Sequence, residues 1–110
     1  MLYVSTDGSI SLTRGDTARL SVAIHNSITV TDYDMQPNDT LTLSVKKSVR
    51  NDELCFQKVS HGANTFRIDP EDTKSLSFGK YVYDVQLTTE NSEVYTIIEP
   101  SKFVILEEVT

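Results

Sequence analysis

Hydrophobic and polar residues alternate along nearly the whole chain, and no stretch holds a helical period beyond a turn or two. The clearest run is Tyr81, Tyr83, Val85 and Leu87, which share one face of a strand, with Val82, Asp84, Gln86 and Thr88 on the other. Ala18, Leu20, Val22 and Ile24 give a second inward face, opposite Thr17, Arg19, Ser21 and Ala23. Leu41, Leu43 and Val45 give a third, within Thr40 to Ser48. Ile10 and Leu12 open a short strand that stops at Arg14-Gly15-Asp16. Leu54 to Val59 is a strand whose register is open between Leu54/Phe56 and Cys55/Val59, and Phe66 and Ile68 mark another. Glu90-Asn91-Ser92-Glu93 is a hairpin turn, because asparagine tolerates turn geometry, and Val94 to Ile98 follows it. Glu99-Pro100-Ser101 then breaks the pattern, and Phe103 and Ile105 begin a closing strand. The total is about eight short strands, spaced as in a sandwich or barrel.

One segment departs from alternation. Asp69 is placed to accept hydrogen bonds from the free N–H groups of a helical turn, Pro70 suits its first position, and Glu71 and Asp72 favour its positive end. Gly79 is expected to end that turn. A leucine (Leu76), then Gly79, then Tyr81 at the head of a half-buried strand is the order in which a corner between two packed sheets is built. From Asn26 to Asn38 the pattern loosens, with Ile28 and Val30 offering short pairing positions. This longest irregular stretch is the best place for a functional loop.

Composition narrows the reading. The 110 residues (12.3 kDa) fit a single domain over residues 1–110 and leave no room for a second core. Hydrophobic residues make up 38%, low but workable when each sheet keeps one wet face. A net charge of −6 and a pI of about 4.7 argue against partners such as nucleic acid or an anionic membrane. The ten basic residues look scattered. Lys46-Lys47, the only doublet, falls on opposite faces of a strand and makes no patch. No apolar run approaches the roughly 20 residues of a membrane helix. The first residues lack the basic and apolar segments of a signal peptide, so the chain is expected to stay where it was made unless carried out inside an assembly.

The candidate chemistry is sparse. Cys55 is the only cysteine, which excludes an intrachain disulfide and a cysteine zinc cage. It sits inside a strand, where a small buried thiol is ordinary. His25 and His61 lack a positioned nucleophile, and no phosphate loop, nucleophile elbow or metalloprotease motif occurs. No enzyme activity is expected, with no catalytic residues and no cofactor or metal. The carboxylates at Asp32/Asp34, Asp52/Glu53 and Asp69/Glu71/Asp72 read as solvated turns and a helix cap. The Asp32 to Asp39 stretch lacks the mid-loop glycine and distal glutamate of a calcium hand. Arg14-Gly15-Asp16 reads as a turn before a strand rather than an adhesive loop. Asn38-Asp39-Thr40 fits a glycosylation sequon, but without a signal peptide it is not expected to meet the machinery. Tyr81 and Tyr83 point inward and tryptophan is absent, so a sugar-stacking face is unsupported, and Tyr33, in the long loop, is the tyrosine to watch.

Ile10-Ser-Leu-Thr-Arg-Gly-Asp-Thr-Ala18 resembles the opening of small immunoglobulin-like proteins encoded by tailed phages and prophages of Gram-positive bacteria. Ile68-Asp-Pro-Glu-Asp-Thr-Lys-Ser-Leu76, Gly79-Lys-Tyr-Val-Tyr-Asp-Val85, Tyr95-Thr-Ile-Ile98, Lys102-Phe103 and Glu108-Val-Thr110 are similar to the same group, in the same order over nearly the whole chain. More distantly, the chain resembles the N-terminal domain of phage baseplate upper proteins. The resemblance implies an all-β fold, an immunoglobulin-like antiparallel β-sandwich with one short helical turn. It also implies a structural protein of the virion tail, baseplate or neck, present in host cytoplasm during assembly and working by contact with other virion proteins. No catalytic residues come with it. Baseplate proteins of this kind continue into a long C-terminal region, so this chain is expected to be a separate accessory subunit. The expected contacts are Tyr33, Asp34 and Met35 in the long loop, Phe103 and Ile105 in the closing strand, and the strand Leu2 to Ser5. Homo-oligomeric rings follow if these contacts run head to tail. The alternative is a β-sandwich module binding a small ligand, carbohydrate or calcium.

Overall fold

A computed structural model describes residues 2–4, 9–26, 31–32, 35–50 and 53–107. Ten strands and one helical turn occur among them: β1 (Leu2–Val4), β2 (Ile10–Thr13), β3 (Ala18–Ser21), β4 (His25–Asn26), β5 (Thr31–Asp32), β6 (Thr40–Lys46), β7 (Leu54–His61), β8 (Thr65–Ile68), α1 (Pro70–Lys74), β9 (Gly79–Thr88) and β10 (Val94–Leu106). The fold is all-β. Six strands form one curled sheet in the order β1-β2-β10-β9-β6-β7, and β3 pairs with β8 in a small second sheet. Alternation puts Leu41, Leu43, Val45, Tyr81, Tyr83, Val85 and Leu87 on the inner face of the large sheet. Ala18 and Leu20 with Phe66 and Ile68 form the inner face of the small one. All of them join one buried cluster, with Phe103 at its centre between Phe56 (ring centroids 5.9 Å apart) and Tyr83 (6.0 Å), both edge-on.

Several expectations change or sharpen. The large sheet is mixed rather than antiparallel, because β2 runs parallel to β10, with Phe103 beside Ile10 and Ile105 beside Leu12. Alternation fixes which face a residue takes but not the direction of its neighbour. The break at Glu99-Pro100-Ser101 is an irregularity within one continuous strand. The pairing with β9 slips between Thr96 and Ile98 and again between Ile98 and Ser101, which lets Pro100 sit where it owes no ladder hydrogen bond. In β7 the open register resolves as a bulge: Phe56 faces Val45 and Leu54 faces Lys46, so Cys55 is the extra residue and both Cys55 and Phe56 are partly buried. The 26–38 stretch is not wholly irregular, since β4 pairs with β5, while Ile28 and Val30 lie outside the described residues. In the β9–β10 hairpin it is Ser92, not Asn91, that takes positive φ (65°).

The helical turn begins where its sequence predicts, at Pro70, with the Asp69 carboxylate oxygens meeting Lys58 and Arg67. Asp69 is extended, Pro70 lies in the first turn, and Asp72 Oδ2 accepts the Asp69 N–H at 2.7 Å. It ends earlier than Gly79, at Lys74, where Ser75 caps it and the Leu76 N–H donates to the Thr73 carbonyl. Gly79 instead starts β9 at φ 135°, a conformation that side chains disfavour, although its surroundings would leave room for one.

Candidate functional site

The two stretches that carry the resemblance meet in space. Gly15 turns the chain at φ 81°, and its N–H donates to Thr73 Oγ1 at 2.9 Å, a hydroxyl with no solvent exposure. Arg14 Nη1 donates to the Leu76 carbonyl at 3.3 Å, and its guanidinium lies 4.2 Å from the centre of the Phe78 ring. The Arg14 N–H closes onto the Leu106 carbonyl at 3.0 Å. Three residues after Phe78, Tyr81 turns its hydroxyl back to donate to the Ser77 carbonyl at 2.8 Å. Burial pushes the Tyr81 phenol up, with the nearby Cys55 adding to the shift and the Ser77 hydrogen bond opposing it. Arg14-Gly15-Asp16 is thus docked against the segment between α1 and β9 instead of projecting from the surface.

Two further polar assemblies hold the periphery. Lys58 lies on the core-facing side of edge strand β7, opposite Leu43, and its ammonium reaches Asp72 Oδ2 at 2.8 Å and Asp69 Oδ2 at 3.2 Å. Arg67 Nε donates to the other Asp69 oxygen at 2.8 Å. The Asp72 hydrogen bond raises the lysine above its ordinary value more than partial burial lowers it. Lys58 and then Arg67 hold the Asp69 carboxyl below its ordinary value. An inward-pointing charge and a bulge are two devices by which edge strands avoid pairing with other chains, and β7 has both. Asp39, only 1% exposed, accepts the N–H of Gln36 (2.9 Å) and of Glu90 (3.1 Å), while its carbonyl accepts that of Gly62 (2.8 Å). One buried residue therefore ties together three loops, two through its carboxylate and the third through its backbone carbonyl. Neither Lys58 nor Asp39 stands out in the sequence, because each depends on partners far along the chain.

Of the contacts expected from sequence, Tyr33 and Asp34 lie outside the described residues, and Met35 is partly buried against the core. Phe103 and Ile105 are 0% and 1% exposed, and β10 is paired on both sides there, by β2 and β9. The closing strand is therefore not a free edge; the sheet ends at β1 and β7. Cys55 has its thiol pushed up, chiefly by burial, away from the thiolate form that a nucleophile needs. His61 is exposed beside Thr40, its Nδ1 3.5 Å from that hydroxyl. Asp34 and Asp52 lie outside the described residues, and no group of three or more potential metal ligands occurs among the described ones. No protein-family model matches the chain, and no curated protein matches it.

Proposed function

We propose that the domain is a non-enzymatic structural subunit of a phage or prophage virion, of the tail, baseplate or neck, acting through contacts with other virion proteins. The observation that carries this reading is the shared corner. The quoted stretches are far apart along the chain, yet Arg14 and Gly15 contact Thr73, Leu76 and Phe78, and Ile10 and Leu12 pair with Phe103 and Ile105. A resemblance spread over segments that are mutually dependent in space belongs to one inherited framework more readily than to separate coincidences.

The same corner favours an immunoglobulin-like sandwich. The order β10-β9-β6-β7 corresponds to the G-F-C-C′ side of such a domain, β3 and β8 to strands B and E, and the Tyr81 hydroxyl to the tyrosine corner at the start of strand F. A framework of this kind presents surfaces and edges rather than a reaction centre. The test is sedimentation of induced particles through a density gradient. The chain is expected to migrate with intact particles, and its absence from every particle fraction would defeat the virion role. A ligand-binding module would instead show a rise in melting temperature with calcium or cell-wall fragments.

A further inference from the structure

The basic residues look scattered along the sequence, but the sheet register gathers three of them. Val82 lies on the outer face of β9, with Lys46 directly opposite it on β6 and Lys102 directly opposite on β10. Lys80, two residues earlier on the same strand, shares that face. None of the three lysines has an ion pair among the described residues. Beside them the slip in β10 at Pro100 opens a shallow hollow of about 60 Å³, whose walls include Val82, Val49 and Pro100, with Asp84 as its one carboxylate. Lys46 lines the hollow, and Lys80 and Lys102 lie beside Val82 on the same face, a local gathering of positive charge on a chain of net charge −6.

The complementary surface is the tip of the β9–β10 hairpin. Glu90 and Glu93 are exposed there, next to Val94 and Tyr95, which are 58% and 49% exposed. The tip is ordered by hydrogen bonds of its own: Glu93 N–H to Thr89 Oγ1 at 3.2 Å, and Tyr95 hydroxyl to Glu93 Oε2 at 2.9 Å. It cannot reach the hollow of its own chain. The seven residues of β9 from Val82 to Thr88, six steps along an extended strand, hold the two roughly 20 Å apart.

We propose that the hairpin tip of one copy docks in the outer-face hollow of a second copy of this chain, with Glu90 and Glu93 against Lys46, Lys80 and Lys102, and Tyr95, on the same side of β10 as Glu93, over Val82 and Val49. The contact joins different surfaces of the two copies, so it propagates into a ring or a filament. It requires no particular place in a virion and stands independently of that reading.

Sedimentation velocity on the purified chain tests it. In about 0.05 M salt the average mass should rise with concentration above the 12.3 kDa monomer, and in about 1 M salt, where charges are screened within about 3 Å, it should return to the monomer. K46E/K102E and E90K/E93K should each remain monomeric, and the chain carrying all four changes should associate again. Melting curves establish that each variant is folded, and K46Q/K102Q and E90Q/E93Q replace any reversal that is not. A wild-type chain monomeric in low salt overturns the proposal, as does association indifferent to either pair of substitutions. A folded four-substitution chain that stays monomeric overturns it too.

Discussion

The Tyr81 hydroxyl donates to the Ser77 carbonyl at 2.8 Å, four residues back across the corner that leads into β9. The side chain is buried and its ring belongs to the core, so this single bond fixes both the packing of β9 and the path of the segment entering it. The same segment receives the Arg14 guanidinium at Leu76 and Phe78.

Tyr81→Phe keeps the ring and removes the donor. With the Ser77 carbonyl left short of a partner, a loss of about 1–2 kcal/mol is expected, read as a lower denaturant midpoint with an unchanged slope.

Thr73→Val is nearly the same shape but cannot accept the Gly15 N–H. Orphaning that group at a site without solvent should cost about 1–3 kcal/mol by chemical denaturation. Because the tripeptide at Arg14 to Asp16 is framework, immobilised wild-type protein should not support integrin-dependent cell attachment, and an adhesion assay inhibitable by a soluble competitor peptide would contradict this.

Asp39→Asn should destabilise the loop end. One amide oxygen replaces two carboxylate oxygens, and the new NH₂ group faces a backbone donor at Gln36 or Glu90. A loss of about 1–3 kcal/mol is expected, with faster amide exchange at Gln36 and Glu90.

Lys58→Met retains a long apolar stem and deletes the charge. Asp69 is depressed in the folded state, so its contribution is present above the usual carboxylate value near about 4 and is lost as pH falls through the lower folded value. Lys58 is raised, so its contribution is present below about 10.4 and is lost as pH rises through the higher folded value. The stability difference between wild type and Lys58→Met should therefore be flat between those limits and shrink beyond both. A difference that peaks at acidic pH would contradict the ion-pair assignment.

Much of the fold is legible in the alternation. The inward positions of β3, β6 and β9, the start of α1 and the role of Tyr81 follow from local pattern and capping chemistry. What is not legible depends on neighbours distant in sequence. The parallel pairing of β2 with β10 and the slip that keeps β10 continuous past Pro100 are properties of the sheet. Phe103 and Ile105 look like a terminal edge because they come last, yet the N-terminal β2 covers that side. The three lysines around Val82 are separated by 34 and 22 residues (46 to 80, 80 to 102) and become neighbours only through register. Lys58 and Asp39 read as ordinary strand and turn residues until their partners arrive.

The role proposed for this framework is that of a building block of a particle. Quantitative mass spectrometry of particles purified after prophage induction tests it most directly, with copy number referred to the major tail protein. A fixed copy number per particle that survives washing is predicted. A chain absent from purified particles, or present in amounts that vary between preparations, contradicts it.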